Sequence, residues 1–319
     1  MSNVAPSAGP QQSSIDQLPT EPEPTAGQVV RDALSAQVRN LREQEPGARQ
    51  ASPEAVAKMR VTTRQLRCTL LGFSRTLDRG TTRPVAEELK WLGAQLAEER
   101  DTHELVERLS DDVRLLPEDM VVGPVVADLR EAVRRLDREG AQTITDALDS
   151  PRYQALLQAL DQLTDEPPCT RRADRLAHTE LPKSLAKAIR VLERRLVEAD
   201  AIAPGRAHNV ALHEARKADK RVRYMCELVI PVVGEPARRL HHQAEKLQKL
   251  LGDHQDSVVA RATLRLLAAE AHAKGHSAFT YGLLYALEHQ RAQQVERALP
   301  DRLAQLRDPR TISWLPQPS

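Results

Sequence analysis

The stretch LHEARKADKRVRYMCEL at residues 212–228 gathers several basic side chains on a segment that contains neither proline nor glycine. Arginine offers planar paired donors and lysine a mobile point charge, and both suit an anionic ligand. The whole chain carries 46 Lys and Arg against 45 Asp and Glu, so a basic composition does not explain the local excess. The segment therefore predicts contact with an anionic ligand. Its basic residues are His213, Arg216, Lys217, Lys220, Arg221 and Arg223.

At about 100° per residue, this segment predicts an amphipathic helix with a separate basic side. We call that side the second-half stripe, and it consists of His213, Arg216, Lys217, Lys220 and Tyr224, with Arg223 at its flank. Only Glu214 and Asp219 intervene, and we expect both to point away from the stripe. Like charges one turn apart repel by a few tenths of a kcal/mol per pair, so their repetition favours an anionic partner over a solvated face.

The same pattern recurs earlier in the chain, in a first-half stripe of Arg60 and Arg64 with Arg67 at its flank. At one constant offset, these three residues align with Arg216, Lys220 and Arg223. The helix that follows also matches, residues 89–101 against 244–256 with one residue of slippage. Chance similarity between Arg-rich helices explains this poorly, so the sequence predicts two tandem copies of a helical bundle.

Further basic residues recur at helical spacing on other segments. Together they predict that cations line one surface of a protein whose net charge is close to zero. These sets are Lys183, Lys187, Arg190 and Arg194; Lys246 and Lys249; Lys90 and Arg100; and Arg130, Arg134 and Arg138.

The composition favours an all-α protein, because Gly is low at 13 residues and aromatic residues make up only 3%. Cys68, Cys169 and Cys226 are far apart and form no CxxC motif, which predicts reduced thiols in a cytosolic protein. The N-terminus has no signal-peptide pattern, and no apolar run is long enough to span a bilayer. We therefore expect a soluble cytoplasmic protein.

Helical periodicity begins near Gly27 and continues almost to residue 300. Residues 1–26 are predicted to be a disordered tail, and residues 301–319 a C-terminal tail. A Pro-rich break at 165–170 divides the rest into a first bundle of about 27–165 and a second of about 175–300. The predicted helices are 27–45, 53–78, 83–110, 118–149, 151–163, 179–200, 206–230, 235–253, 255–273 and 275–298.

Catalysis is a weaker interpretation. Residues 252–256 (GDHQD) resemble a set of metal ligands, but Gly252 and Asp253 more readily end or kink a helix. The HHxxE at 241–245 lacks the HExxH spacing of zinc proteases, and no P-loop or nucleophile motif occurs. His213 has no nucleophile arranged beside it, so we predict an additional donor that gains charge as the pH falls. We expect no enzyme, no metal site and no cofactor.

Nucleic-acid binding stays open as an alternative, because a basic cleft does not by itself exclude RNA or DNA. Sequence-tolerant single-strand binders usually stack bases on aromatic side chains. This chain has only two Trp, four Tyr and two Phe. We expect the large apolar residues to pack in the core rather than to contact a ligand; they include Trp91, Trp314, Met59, Met225 and Phe73.

The segments quoted above resemble the CHAD domain, the "conserved histidine α-helical domain" family. LHEARKADKRVRYMCEL and the later LQKLLGDHQD are similar to its second-half signature, and VAKMRVTTRQLRCTLLGF, LKWLGAQLAEERD and ALDSPRYQALLQAL to its first half. The resemblance covers residues 27–300. It implies one all-helical domain of two similar bundles, whose basic surface or cleft binds inorganic polyphosphate, and association with polyphosphate granules. A granule adaptor or a partner of polyphosphate-metabolising enzymes would use the same contact.

The sequence departs from the family pattern at Ala57, where the first half usually has a histidine. Arg60, Arg64 and Arg67 remain, but a role that needs two paired histidines is in doubt. We also expect no CYTH triphosphatase domain. Chain-length preference, oligomeric state and enzyme regulation stay open. The predicted polyphosphate-binding residues are His213, Arg216, Lys217, Lys220, Arg223, Tyr224, Arg60, Arg64, Arg67, Lys90, Arg100, Lys187, Arg190, Arg194, Lys246, Lys249, His254 and Arg134.

Overall fold

The computed structural model describes residues 23–96 and 100–317, and every regular element in those ranges is helical. The prediction of an all-α fold is confirmed. A short 3-10 turn, Glu118–Met120, precedes α5. The helices are α1 (Ala26–Arg49), α2 (Pro53–Gly72), α3 (Arg79–Gln95), α4 (Arg100–Leu115), α5 (Val125–Asp149), α6 (Pro151–Asp165), α7 (Ala177–Asp200), α8 (Arg206–Val233), α9 (Glu235–Ala273), α10 (Phe279–Leu306) and α11 (Pro309–Ile312).

The predicted helix break near residue 254 is wrong. α9 runs without interruption for 39 residues and passes through Gly252 and Asp253. Its buried positions continue across the glycine, with Leu251 on one side and Ala260 on the other. Packing on both sides thus outweighs the modest cost of one glycine inside a helix. The predicted helix 83–110 is divided instead, because α3 ends at Gln95 and α4 begins at Arg100.

The main hydrophobic core draws residues from both halves of the chain. Leu34 and Leu66 from the first half belong to the same buried cluster as Leu185 and Met225 from the second. A smaller cluster lies between α4, α5, α9 and α10. Consecutive helices pack in the same order in each half, α1 on α2 on α3 and α7 on α8 on α9, and α2 also packs on α8. The two halves therefore form one packed unit, and their origin as a repeat stays a prediction.

The C-terminal residues are more structured than a tail. α10 extends to Leu306, and Leu306 and Leu315 are both buried in the main core. Trp314 packs against that core while its Nε1 donates to the carbonyl of Thr311 at 2.8 Å. The packed part of the chain thus extends beyond residue 300. The predicted tail at 1–26 lies largely outside the described residues, although Thr25 caps α1.

Met59, Phe73 and Met225 are buried, which confirms their prediction as packing residues. Between residues 23 and 317, leaving aside 97–99, no helix combines the length and the apolar character that crossing a membrane requires.

Candidate anion-binding site

The second-half stripe lies on α8, which packs against α9 in an antiparallel register. Three contacts fix that register. His213 Nδ1 is 2.9 Å from Gln255 Oε1, and Arg223 Nε donates to Gln248 Oε1 at 2.8 Å. Between them, the Arg216 guanidinium crosses Gly252, where an added Cβ would lie 3.6 Å from Nη2. The basic side of α8 therefore faces the middle of α9, and Lys249 lies at about the level of Lys220.

A cavity of about 700 Å³ opens between α8, α9 and α10 near the start of α8. Its lining lies wholly in the described part of the chain and includes four basic side chains but no Asp or Glu. Asn209, Gln255 and Tyr285 add further polar groups. Such a wall favours an anion with several oxygens. The basic residues are Arg206, His213, Arg261 and Arg265.

His213 was predicted, and the structure places it in this cavity wall. Burial, followed by repulsion from Lys217 and Arg216, lowers its pKa, although the Gln255 contact acts in the opposite direction. The ring is therefore neutral near pH 7 in the free protein. If Nδ1 donates to Gln255, Nε2 is an acceptor until the ring takes up a proton and then becomes a second donor.

Basic residues from both halves meet where α2 crosses α8. Cys68 on α2 lies in the field of Arg64 and Arg67 from its own helix and of Arg221 from α8. Burial raises the pKa of this thiol to about 11 despite those three cations. Gln65 Nε2 donates to Glu227 Oε2 at 2.9 Å across the same crossing. Arg64 and Arg67 of the first half therefore lie close to Arg221 of α8 at this point.

The two flanking arginines hold adjacent helices together. Arg223 bonds Gln248 of α9, pairs with Glu227 at 2.7 Å and lies 4.3 Å above the Tyr224 ring. Arg67, its aligned counterpart, donates from Nε to the carbonyl of Ala86 on α3 at 3.2 Å. Both side chains thus bridge to the following helix, so their first role is structural.

Two inner arginines, one from each stripe, contain an unsatisfied donor. Arg216 and Arg64 each bury an Nε atom that has no hydrogen-bond partner. A buried donor without a partner is uncommon in folded proteins and is satisfied when a ligand or water reaches it. Lys217 instead pairs with Glu214 at 2.8 Å.

The structure corrects two predicted site residues. His254 is only 1% exposed, and its Nε2 lies 3.1 Å from Glu296 Oε1, so it faces the interior. Asp253 is exposed and points about 100° around α9 from His254, so these two residues do not converge on a metal. Tyr224 is 7% exposed and lies beneath Arg223 rather than on the open face. Four helices pack on α8, namely α1, α2, α7 and α9. The exposed basic face of α8 is therefore narrower than a helical-wheel projection of the sequence suggests.

The remaining predicted cations are spread over several helices. Lys187 and Arg190 on α7 and Lys246 and Lys249 on α9 are exposed, and the described residues give them no ion pair. Arg194 pairs with Glu198 at 3.6 Å, and Lys90 pairs with Glu87 at 3.7 Å. Arg60 is half-buried on α2, and Arg134 is exposed on α5, which packs mainly on α4, α6 and α1. The side chains of Arg100 and Arg138 lie outside the described residues.

Asp219 is completely buried and so does not lie on the exposed stripe, as expected, but the same expectation for Glu214 is wrong, because Glu214 pairs with Lys217 of the stripe. Burial raises its pKa well above the ordinary value, and the nearby Arg223, Lys220 and Arg216 only partly oppose that shift. Neither carboxyl oxygen has a hydrogen-bond partner. A carboxyl whose pKa is raised by burial compensates the neighbouring cations of α8 less than an exposed aspartate would.

Arg206, Arg261 and Arg265 were missed by the sequence analysis. Arg261 and Arg265 are one turn apart, a spacing that could have indicated a basic helix face. The predicted break near residue 254 separated them from the second-half stripe. Arg206 follows Gly205 at the first position of α8, where no periodicity marks it.

The model of the CHAD domain family matches residues 32–265, nearly the whole of α1 to α9. The chain belongs to the CHAD domain family. Two uncharacterized proteins from two strains of Mycobacterium tuberculosis are each 34% identical over 298 residues, which is 92% of this chain and 56% of theirs. The chain thus spans little more than half the length of these curated relatives.

Two solved structures share the CHAD fold. PptA from Streptomyces chartreusis superposes with a TM-score of 0.70 at 21% identity, covering 88% of this chain and 99% of that one. The crystal structure of the CHAD domain from the plant Ricinus communis gives 0.62 at 19% identity, covering 91% and 94%. At these identities the likeness establishes the fold.

We predict that Asp219→Asn changes the pH dependence of stability. Because the pKa of Asp219 is raised on folding, its contribution is complete below the unfolded pKa near 3.8 and is lost as the pH rises through the folded value. Relative to the variant, the wild-type free energy of unfolding should fall by up to about 1.4 kcal/mol per pH unit across that window. Urea unfolding between about pH 4 and pH 7 measures this difference. The exposed Asp253→Asn is the control. If the difference in unfolding free energy between the wild type and Asp219→Asn does not change with pH, the raised pKa of Asp219 is contradicted.

Proposed function

We propose that this CHAD domain binds inorganic polyphosphate on the basic side of α8. The observation that carries the proposal is the cavity whose wall has Arg206, His213, Arg261 and Arg265 and no carboxylate. From there the stripe continues past Arg216 to the α2 crossing. The helical rise from Arg206 to Arg221 is about 22 Å, long enough for several successive phosphates of an extended chain.

The chemistry of the path suits a flexible polyanion without bases. The arginines supply paired donors, and the lysines supply point charges. The cavity contains a single aromatic side chain, Tyr285, so base stacking has little surface to use. Polyphosphate is therefore favoured over single-stranded nucleic acid.

Binding without turnover completes the proposal. No nucleophile lies beside His213 in the cavity wall, and the neutral ring near pH 7 acts as a hydrogen-bonding group. A protein that holds polyphosphate in this way suits association with polyphosphate granules or with enzymes that make or consume the polymer.

We predict that Arg206→Gln/Arg265→Gln weakens binding of long-chain polyphosphate severalfold and lowers its salt dependence. Each lost phosphate contact should reduce the slope of log affinity against log salt by about 0.7 to 1. Both side chains are exposed, so the fold should tolerate their change. Affinity measured from about 50 to 200 mM salt tests the prediction.

The matched control is Arg39→Gln/Arg238→Gln, which removes two exposed arginines from α1 and from the start of α9. It should keep the wild-type slope to within measurement error. Equal slopes for the cavity variant and the control would contradict the assignment of the cavity.

His213 generates a second prediction, on pH. Because its pKa is lowered in the free protein and a bound polyanion raises it, binding takes up a proton as the pH falls below about 6.5. Polyphosphate affinity should rise severalfold between about pH 8 and pH 5.5, and His213→Gln should remove a large part of that rise. His242→Gln, on the exposed side of α9, is the control. An unchanged pH profile in His213→Gln would place His213 outside the site.

A further inference from the structure

A second group of cations lies where the two halves of the chain join. Its centre is Glu180 in the first turn of α7, which is 0% exposed. Arg75 Nε lies 2.8 Å and Lys183 Nζ 3.0 Å from its carboxylate. Arg175 Nη1 lies at 3.6 Å and Arg172 Nη1 at 4.0 Å. We call these five residues the Glu180 cluster.

The charges of this cluster do not balance. Four cations share one carboxylate, and within the described residues all ion pairs of these four cations are with Glu180. The carboxylate is inaccessible, whereas the side chains of Arg172 and Arg175 are 45% and 57% exposed. The nearby Glu23 is engaged with His178 at 3.1 Å. The exposed Asp174, between Arg172 and Arg175 in the same loop, offsets one of these charges, and the surface above Glu180 remains net positive.

Glu180 stays ionised in spite of its position. Burial alone would raise the pKa of this carboxyl, but hydrogen bonds from Lys183 and Arg75 outweigh burial, and the pKa is lowered. These two cations hold the buried charge, so Arg172 and Arg175 are the members with capacity for an external anion.

The backbone holds Arg172 and Arg175 in place before any ligand arrives. The loop that carries them accepts hydrogen bonds from the start of α1, where Ala26 N donates to Arg175 O and Gly27 N to Ala173 O, both at 2.8 Å. On its other side, Thr170 N donates to Thr76 O at 2.8 Å. Because the backbone is already ordered, binding has to order only the two arginine side chains, which lowers its cost in conformational entropy. The positive end of the α7 helix dipole adds to the field.

We propose that the Glu180 cluster is a second phosphate site, which takes a short oligophosphate segment through Arg172 and Arg175. The exposed guanidinium groups offer paired donors that match phosphate oxygens. The inference rests on the proposed function, because it assigns the same ligand class to a second place. A protein with two such sites holds two segments of one chain, or links two chains, with avidity set by their separation.

The test is isothermal titration with tripolyphosphate. The wild type should bind two molecules per chain, and Arg172→Gln/Arg175→Gln should bind one. Arg206→Gln/Arg265→Gln should still bind two, with the molecule in the cavity held severalfold more weakly, and the fourfold variant should keep only that weakened site. The site left unchanged in each double variant should keep its affinity within about twofold. Arg171→Gln/Arg39→Gln, with one change in the same loop, is the charge-matched control and should bind two.

Circular dichroism melting checks that Arg172→Gln/Arg175→Gln is folded. If it is not, Arg175→Gln alone replaces it, because this guanidinium is the more exposed of the two. A stoichiometry and affinity equal to those of the control would overturn the second site while leaving the cavity intact. Failure of the wild type to bind long-chain polyphosphate at all would overturn the proposed function as well.

Discussion

α8 holds like-charged side chains one helical turn apart without a matching row of carboxylates. The structure around α8 depends on how the repulsion between these side chains is relieved. Asp219, an acid on the same helix, is buried beneath the stripe, and burial raises its pKa above the ordinary value. Part of the repulsion is relieved locally, because Lys217 pairs with Glu214 and Arg223 bridges Glu227 and Gln248. The remaining positive charge lies toward the cavity and the α2 crossing, where a polyanion would neutralise it.

The uninterrupted α9 gives this charge a fixed geometry. One helix supplies Gln248 and Gly252 opposite the stripe and then Arg261 and Arg265 in the cavity wall. It also joins the main core, through Leu251, to the smaller core, through Ala260. A break near residue 254 would leave the two ends of the basic path on separately packed elements. Continuity of α9 thus links the packing of the domain to its charge distribution.

The sequence predicts most of the helices and the packing residues, because amphipathic periodicity reports burial along each helix, whereas the ligand-binding role of the cations stays a prediction. It fails where tertiary packing decides. His254 and Tyr224 are buried by neighbouring helices, which a helical-wheel projection of one helix does not include. Gly252 stays helical because the residues on both sides of it are packed. Arg172 and Arg175 lie in a loop and Arg206 at the end of a helix, where helical periodicity does not predict which side chains meet. Their grouping depends on contacts between segments far apart in the chain.

The central claim is that a continuous run of phosphates, rather than anionic charge in general, is the preferred ligand of the α8 surface. A competition titration at matched charge tests it most directly, with long-chain polyphosphate, short oligophosphates, orthophosphate and single-stranded nucleic acid displacing one labelled polyphosphate. The account predicts that long-chain polyphosphate competes best, oligophosphates less well and orthophosphate hardly at all. Equal competition by single-stranded nucleic acid, or by orthophosphate at matched charge, would contradict it.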